Sequence, residues 1–167
     1  MILIIATLLI ALVVFSLTSI YSSYVASNTA ISNFAESVAE GLYITKTTAA
    51  VGSSSYSIVI VPEDFNYNGT IYLTAISVPP SLYGINDISP YQGSFNVLIN
   101  GTMAKSQSVI LYTSSLHELY QGQAPIWKSV TGAPQTITVP LGYDAVVFVF
   151  VPTPKGLVEV GYVWLEK

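Results

Sequence analysis

The sequence predicts an α+β protein: one long N-terminal hydrophobic helix followed by an antiparallel β-sandwich head. Three features carry that prediction. No charged side chain precedes Glu36 in a chain of 167 residues. Neither Gly nor Pro occurs before Gly41. Beyond residue 50, β-branched and aromatic runs alternate with clusters of Gly, Pro, Asn and Ser, which is how short strands and turns are written in a sequence.

The helix comes first. Residues 1–15 are apolar all round except for Thr7. Extended to Ile20, the run covers about 30 Å at about 1.5 Å per residue, enough to cross a bilayer core. A secretory signal peptide would need a positive n-region before its apolar stretch, and only Met1 stands there. A plain membrane anchor carries Lys or Arg at one end to set its orientation, and no basic residue occurs before Lys46. A positively charged leader that has been removed would reconcile the two.

Past Leu17 the pattern changes. Leu17, Tyr21, Tyr24, Asn28, Ile31, Ala35, Val38 and Leu42 follow at alternating steps of four and three, a 3.5-residue seam of the kind that packs a helix along its length. One continuous helix over residues 1–45 is therefore expected, roughly 65 Å long at 1.5 Å per residue. A compact head of the remaining length is only about 35 Å across. It cannot cover such a helix, so much of residues 1–20 must lie in a membrane or among copies of itself.

Strands are expected at 56–61, 70–78, 95–99, 108–113, 136–139, 145–151 and 157–165, forming a head over residues 50–167 of immunoglobulin-like size. Ala145–Val151 is apolar on both faces and should be a central strand covered on both sides. The stretch 120–134, with Gly122, Pro125, Gly132 and Pro134, reads as a long loop.

Chemistry is sparse. The charged fraction is 8%, against about 25% in ordinary soluble domains. Nine acids and five lysines, with no arginine, leave a net charge of −4, so no nucleic-acid partner is expected. So few titratable groups also predict a stability that depends weakly on pH, persisting near pH ~2. A chain with no cysteine and the single histidine His117 lacks the imidazole and thiolate ligands that hold zinc. Glu63-Asp64, the one adjacent acidic pair, lacks the alternating Asp/Asn ladder of a calcium loop. No nucleophile elbow, phosphate loop or dinucleotide fingerprint is present. No catalytic residue, metal or cofactor is expected, and the chain reads as a structural protein and not an enzyme.

Two sequons occur, Asn68-Gly69-Thr70 and Asn100-Gly101-Thr102. Asn-Gly is also a hairpin-turn signal, because both residues accept positive φ. A turn tip is equally accessible to glycan transfer, so both readings hold together. Twelve tyrosines, against six Phe and two Trp, suit surfaces that must be both wet and adhesive.

A charge-free apolar start, a long uninterrupted helix and a β-sandwich behind it resemble the archaeal type IV pilins and their relatives, the archaellins. The resemblance covers the whole chain, with residues 1–45 as its motif-like part. It implies a leader removed by a prepilin peptidase, passage through the membrane, and extraction by an assembly platform with an ATPase. The helices then bundle as the core of an extracellular helical homopolymer. On that footing Ile2, Ile5, Leu9, Leu12, Phe15, Leu17, Tyr21, Tyr24, Ile31, Val38 and Leu42 are filament-core candidates, and Asn68 and Asn100 are glycan candidates. Bacterial type IV pilins carry a glutamate at the fifth position, where this chain has Ile5; that departure fits the archaeal branch. Adhesion is the role expected of the filament. An archaellin, the swimming counterpart, and a membrane-anchored β-sandwich binding module are the alternatives.

Overall fold

The computed structural model describes residues 2–86, 88–90, 107–113 and 118–166, with side chains for all of these except 2–9, 11, 49 and 107–109. The expected strand 95–99, Asn100 and His117 lie outside the described residues.

One helix, α1 (Ile2–Gly41), is followed by antiparallel sheets. The chain divides into two compact units, Met1–Phe34 and Ala35–Lys167. The helix stops at Gly41 and not near residue 45, because Ile44, Thr45, Thr47 and Thr48 follow. Their branched side chains favour the extended backbone of β1 (Leu42–Val51). The last turn also has an external cap. The Phe65 amide donates to the Gly41 carbonyl at 3.1 Å, and the Asn66 side-chain amide donates to the Ser37 carbonyl at 2.8 Å. Asp64 Oδ1 holds the capping loop in shape by accepting from the amides of Asn66 and Tyr67, at 2.7 and 2.8 Å. This loop crosses so close that a Cβ on Gly41 would come within 2.5 Å of Asp64 Oδ1 and 2.9 Å of Asn66 Nδ2. Gly41→Ala should therefore destabilise Ala35–Lys167 by about 1–3 kcal/mol, read as a lower urea midpoint in the full-length chain. An unchanged midpoint would show that the joint is looser than this geometry.

Three sheets make up the second unit. The first has the order β1-β2-β8, with β2 at Ser55–Asp64 and β8 at Gln135–Pro140. The second has the order β10-β9-β3-β7, with β3 at Thr70–Val78, β7 at Ile126–Val130, β9 at Asp144–Thr153 and β10 at Gly156–Leu165. The third has the order β4-β5-β6, over Ile88–Pro90, Gln107–Thr113 and Glu118–Ala124. Every pairing is antiparallel.

Alternation decides the faces. Along β2, Tyr56, Ile58 and Ile60 are buried while the residues between them are half-exposed, as expected of a strand with one face on a core. They meet Ile71 and Leu73 of β3 and Val147, Val149 and Val151 of β9 in one apolar cluster. The opposite face of the second sheet, with Tyr72, Ile76, Val146, Phe148 and Phe150, packs on Ile88, Leu111 and Ala124 of the third. Strand β9 lies between β10 and β3 with Ala145–Val151 buried throughout, the central strand that its unbroken apolar run predicts.

The stretch 120–134 is not a long loop. Most of it forms β6 and β7, broken at Pro125. The Thr74 hydroxyl, buried in β3, donates to the Pro125 carbonyl at 2.8 Å and anchors the break. Gly122 is needed here because β6 runs closely over β3: a Cβ would meet Ile76 Cγ2 at 3.2 Å and the Tyr120 ring at 2.9 Å.

Candidate assembly surface on the N-terminal helix

Every described side chain from Ile10 to Ser27 is exposed. These include Ile10 (64% exposed), Phe15 (74%), Ile20 (68%) and Tyr21 (71%). Large apolar side chains in such density on a helix are ordinarily buried, yet within Met1–Phe34 nothing described covers these residues.

Two hydroxyls of this stretch, and Thr29 just beyond it, are bonded back onto their own helix. Ser16 Oγ donates to the Leu12 carbonyl at 2.8 Å. Thr18 Oγ1 donates to the carbonyls of Val14 and Phe15, at 3.0 and 2.9 Å, and Thr29 Oγ1 to that of Val25 at 3.0 Å. A hydroxyl satisfied in this way enters an apolar surrounding without the penalty of a lost hydrogen bond. The stretch therefore combines large exposed apolar side chains with two hydroxyls, Ser16 and Thr18, that are already satisfied.

The 3.5-residue seam divides into two stretches with different environments. Leu12, Phe15, Leu17, Tyr21 and Tyr24 are exposed, and Ile31 is half-buried. Val38, by contrast, is buried in the core of Ala35–Lys167, with Ala35 and Leu42 packed against the same cluster. Leu42 stands on β1, and its Cδ2 lies where a Cβ on Gly161 would come within 2.7 Å. Val38 and Leu42 are thus committed to the head's own core, which removes them from the surface open to another chain. The 3.5-residue spacing could not distinguish packing against the chain's own head from packing against a partner. The side chains of Ile2, Ile5 and Leu9 lie outside those described.

Among the described residues no helix is long and apolar enough to cross a membrane. The described side chains begin at Ile10, past much of the apolar run at 1–15. Membrane passage therefore finds no support in the structure and rests on the sequence.

Asn68 is exposed in the loop between β2 and β3, and its Oδ1 accepts a hydrogen bond from Thr131 Oγ1 at 3.2 Å. The expected hairpin turn is corrected here. Strand β2 belongs to the first sheet and β3 to the second, so Asn68-Gly69 crosses between sheets. Positive φ is found at Gly84, Gly132, Gly142 and Gly156, and Gly69 is not among them. Gly69 is required for a different reason: the Tyr67 ring lies across it, its hydroxyl 2.8 Å from where a Cβ would stand.

Among the described residues no group of three His, Cys, Asp or Glu side chains is placed to hold a metal; Asp64 Oδ1 accepts from the two loop amides, and its Oδ2 is buried without a hydrogen-bond partner. Glu159 on β10 is a titratable group that the sequence reading passed over. It accepts a hydrogen bond from Ser89 Oγ at 2.7 Å, and burial pushes its carboxyl up to about 7, against the smaller lowering effect of that hydrogen bond. An acidic residue inside an apolar strand run, Leu157–Leu165, was the available signal.

No protein-family model, curated protein or solved structure matches this chain. Any functional reading therefore stands on the residues and their geometry.

Proposed function

We propose that this chain is the subunit of an extracellular helical filament of the archaeal type IV pilin kind, a structural protein that polymerises through its N-terminal helix. The observation that carries the proposal is the density of large exposed apolar side chains on α1 from Ile10 to Val25, with the Ser16 and Thr18 hydroxyls bonded back onto the helix. Such a surface is unfavourable in water. Copies packed side by side remove it from water, and a contact that repeats without closing builds a filament and not a ring. Membrane residence before assembly, removal of a leader and extraction by an ATPase-driven platform belong to this proposal through the family resemblance.

The head is proposed to be an immunoglobulin-like sandwich with an insertion. With β4–β6 set aside, β1, β2 and β8 form one layer and β3, β9 and β10 belong to the other. This is the division of first, second and fifth strands from third, sixth and seventh that the immunoglobulin arrangement uses, with β7 as the strand that has joined the second layer.

Electron microscopy of material sheared from the surface of cells producing this chain tests the proposal. The expected result is filaments whose core density is a bundle of helices, with the heads outside. Surface material with the chain present and no filaments would overturn it. Glycosylation is tested separately. Native chain is expected to exceed the 17.9 kDa of the bare polypeptide, and Asn68→Gln to lose one glycan's mass. A native intact mass equal to the bare chain would remove the glycan proposal and leave the filament proposal standing.

A further inference from the structure

We propose that Glu159 and Ser89 form a pH-sensitive latch, which holds the third sheet on the second and releases strand β4 when the carboxyl ionises. The register of β10 fixes which way Glu159 faces. Glu159 stands across from Phe150, and Tyr162 across from Phe148. Both phenylalanines belong to the cluster that packs on the third sheet. Cross-strand partners share a face, so the carboxyl is on the side of β4, where Ser89 Oγ donates to it at 2.7 Å. Val160, passed over in the register, belongs to the other cluster. This bulge is what keeps Glu159 and Tyr162 on one face.

The strands packed around this carboxyl bring it no cation among the described side chains. Strand β4 is Ile88, Ser89 and Pro90, and residues 110–113 of β5 are uncharged. On β6 the charged residue is Glu118, exposed and two strands away from Ser89. Along β9 the neighbour is Phe150, and Asp144 lies at the strand's far end. Tyr162 is the titratable neighbour on β10 itself, with Glu166 beyond its end, and Lys155 is exposed in the turn before it. Asp87 and Lys105 lie outside the described residues. An ionised Glu159 therefore has the Ser89 hydroxyl and little else. A carboxylate so placed gains most by reaching water.

Strand β4 is the element that gives way. It is the outer strand of its sheet and pairs with β5 at three positions, and Pro90 has no amide to donate. Strand β10 is bound to β9 at nine positions. Parting the sheets at β4 thus breaks the fewest hydrogen bonds. It also uncovers Ile88, which is 3% exposed when the latch is shut. That lost burial keeps the latch closed while the carboxyl is neutral. The segment before β4 stays anchored, because Trp164 Nε1 donates to the Ile85 carbonyl at 3.3 Å and the indole meets the Tyr83 ring edge-on. The closed state holds a proton that the open state releases, so acid closes the latch and pH above about 7 opens it. The latch lies within Ala35–Lys167 and is independent of filament assembly.

Hydrogen exchange of the full-length chain, read by mass spectrometry at pH 5 and pH 8 with intrinsic rates divided out, tests this. The peptide covering β4 should lose protection by roughly 10- to 100-fold at the higher pH. Low urea should leave that exchange unchanged, because a local opening exposes little surface. Residues 145–151, at the centre of the second sheet, should exchange only through global unfolding and respond to urea strongly. Glu159→Gln should hold the β4 protection equal at the two pH values, which assigns the effect to this carboxyl and not to Asp87. Ser89→Ala should move the midpoint of the change to higher pH, since the hydrogen bond that lowers the carboxyl is gone. A purely structural contact would instead lower protection at every pH and leave the midpoint in place. Equal protection of β4 at pH 5 and pH 8, a difference that survives Glu159→Gln, or β4 exchange as sensitive to urea as that of residues 145–151 would each overturn the proposal.

Discussion

Ile10→Asp is expected to give a folded subunit that still reaches the membrane and forms no filament. Ile10 is 64% exposed, so the chain's own fold does not depend on it, and the circular dichroism spectrum should be unchanged. For a simple anchor, one carboxylate at the centre of an apolar helix adds an insertion penalty of about 2.5–3.5 kcal/mol, which the surrounding isoleucines and leucines can bear. A filament repeats the charge in every subunit, packed against its copies with little water and no counter-ion. Desolvation of several kcal/mol per subunit then adds to like-charge repulsion. The measurement is made at neutral pH, where the introduced carboxyl is charged. Normal filaments from this variant would show that α1 does not form a packed core, and the filament proposal would fall with that result.

Stability should fall by up to about 3 kcal/mol as pH rises from about 4.5 to about 7, because of Glu159. In the folded chain burial raises its carboxyl from 4.5 to about 7. Between those values the folded state holds a proton that the unfolded state has released, so acidification favours folding. The contribution is fully present below about 4.5 and is lost as pH passes through about 7. Asp144 shifts in the same direction, through burial first and the nearby Glu166 charge second, and reinforces the sign. Urea unfolding of the full-length chain at pH 4 and pH 8 reads the difference. Glu159→Gln, which keeps a neutral side chain at every pH, should flatten most of the slope. A stability that rises from pH 4 to pH 8, or a slope that survives Glu159→Gln, would contradict this account.

This refines the expectation of weak pH dependence. Counting nine acids and five lysines treats every carboxyl as ordinary, and one half-buried carboxyl beside Ser89 outweighs the count. The sign still favours a head that persists in acid.

Much of the architecture was legible in the sequence. An unbroken, charge-free, helix-compatible run specifies a helix through local periodicity alone, and α1 follows it to Gly41. The doubly apolar run Ala145–Val151 likewise specified a strand buried on both faces, because its composition excludes a solvated side. Other assignments depended on contacts distant in sequence. Glu118–Ala124 contains Gly122 and two glutamines and has little strand propensity of its own. It is extended because β5 supplies its hydrogen-bond partners, and pairing context outweighs intrinsic preference in sheets. The ends of the seam were undecided for the same reason. Leu17 and Val38 occupy equivalent places in the 3.5-residue repeat, but Leu17 is exposed whereas Val38 is buried among β-strands of its own unit. Periodicity tells which side chains want cover; the tertiary structure decides which of them the chain's own head covers, as it does Val38.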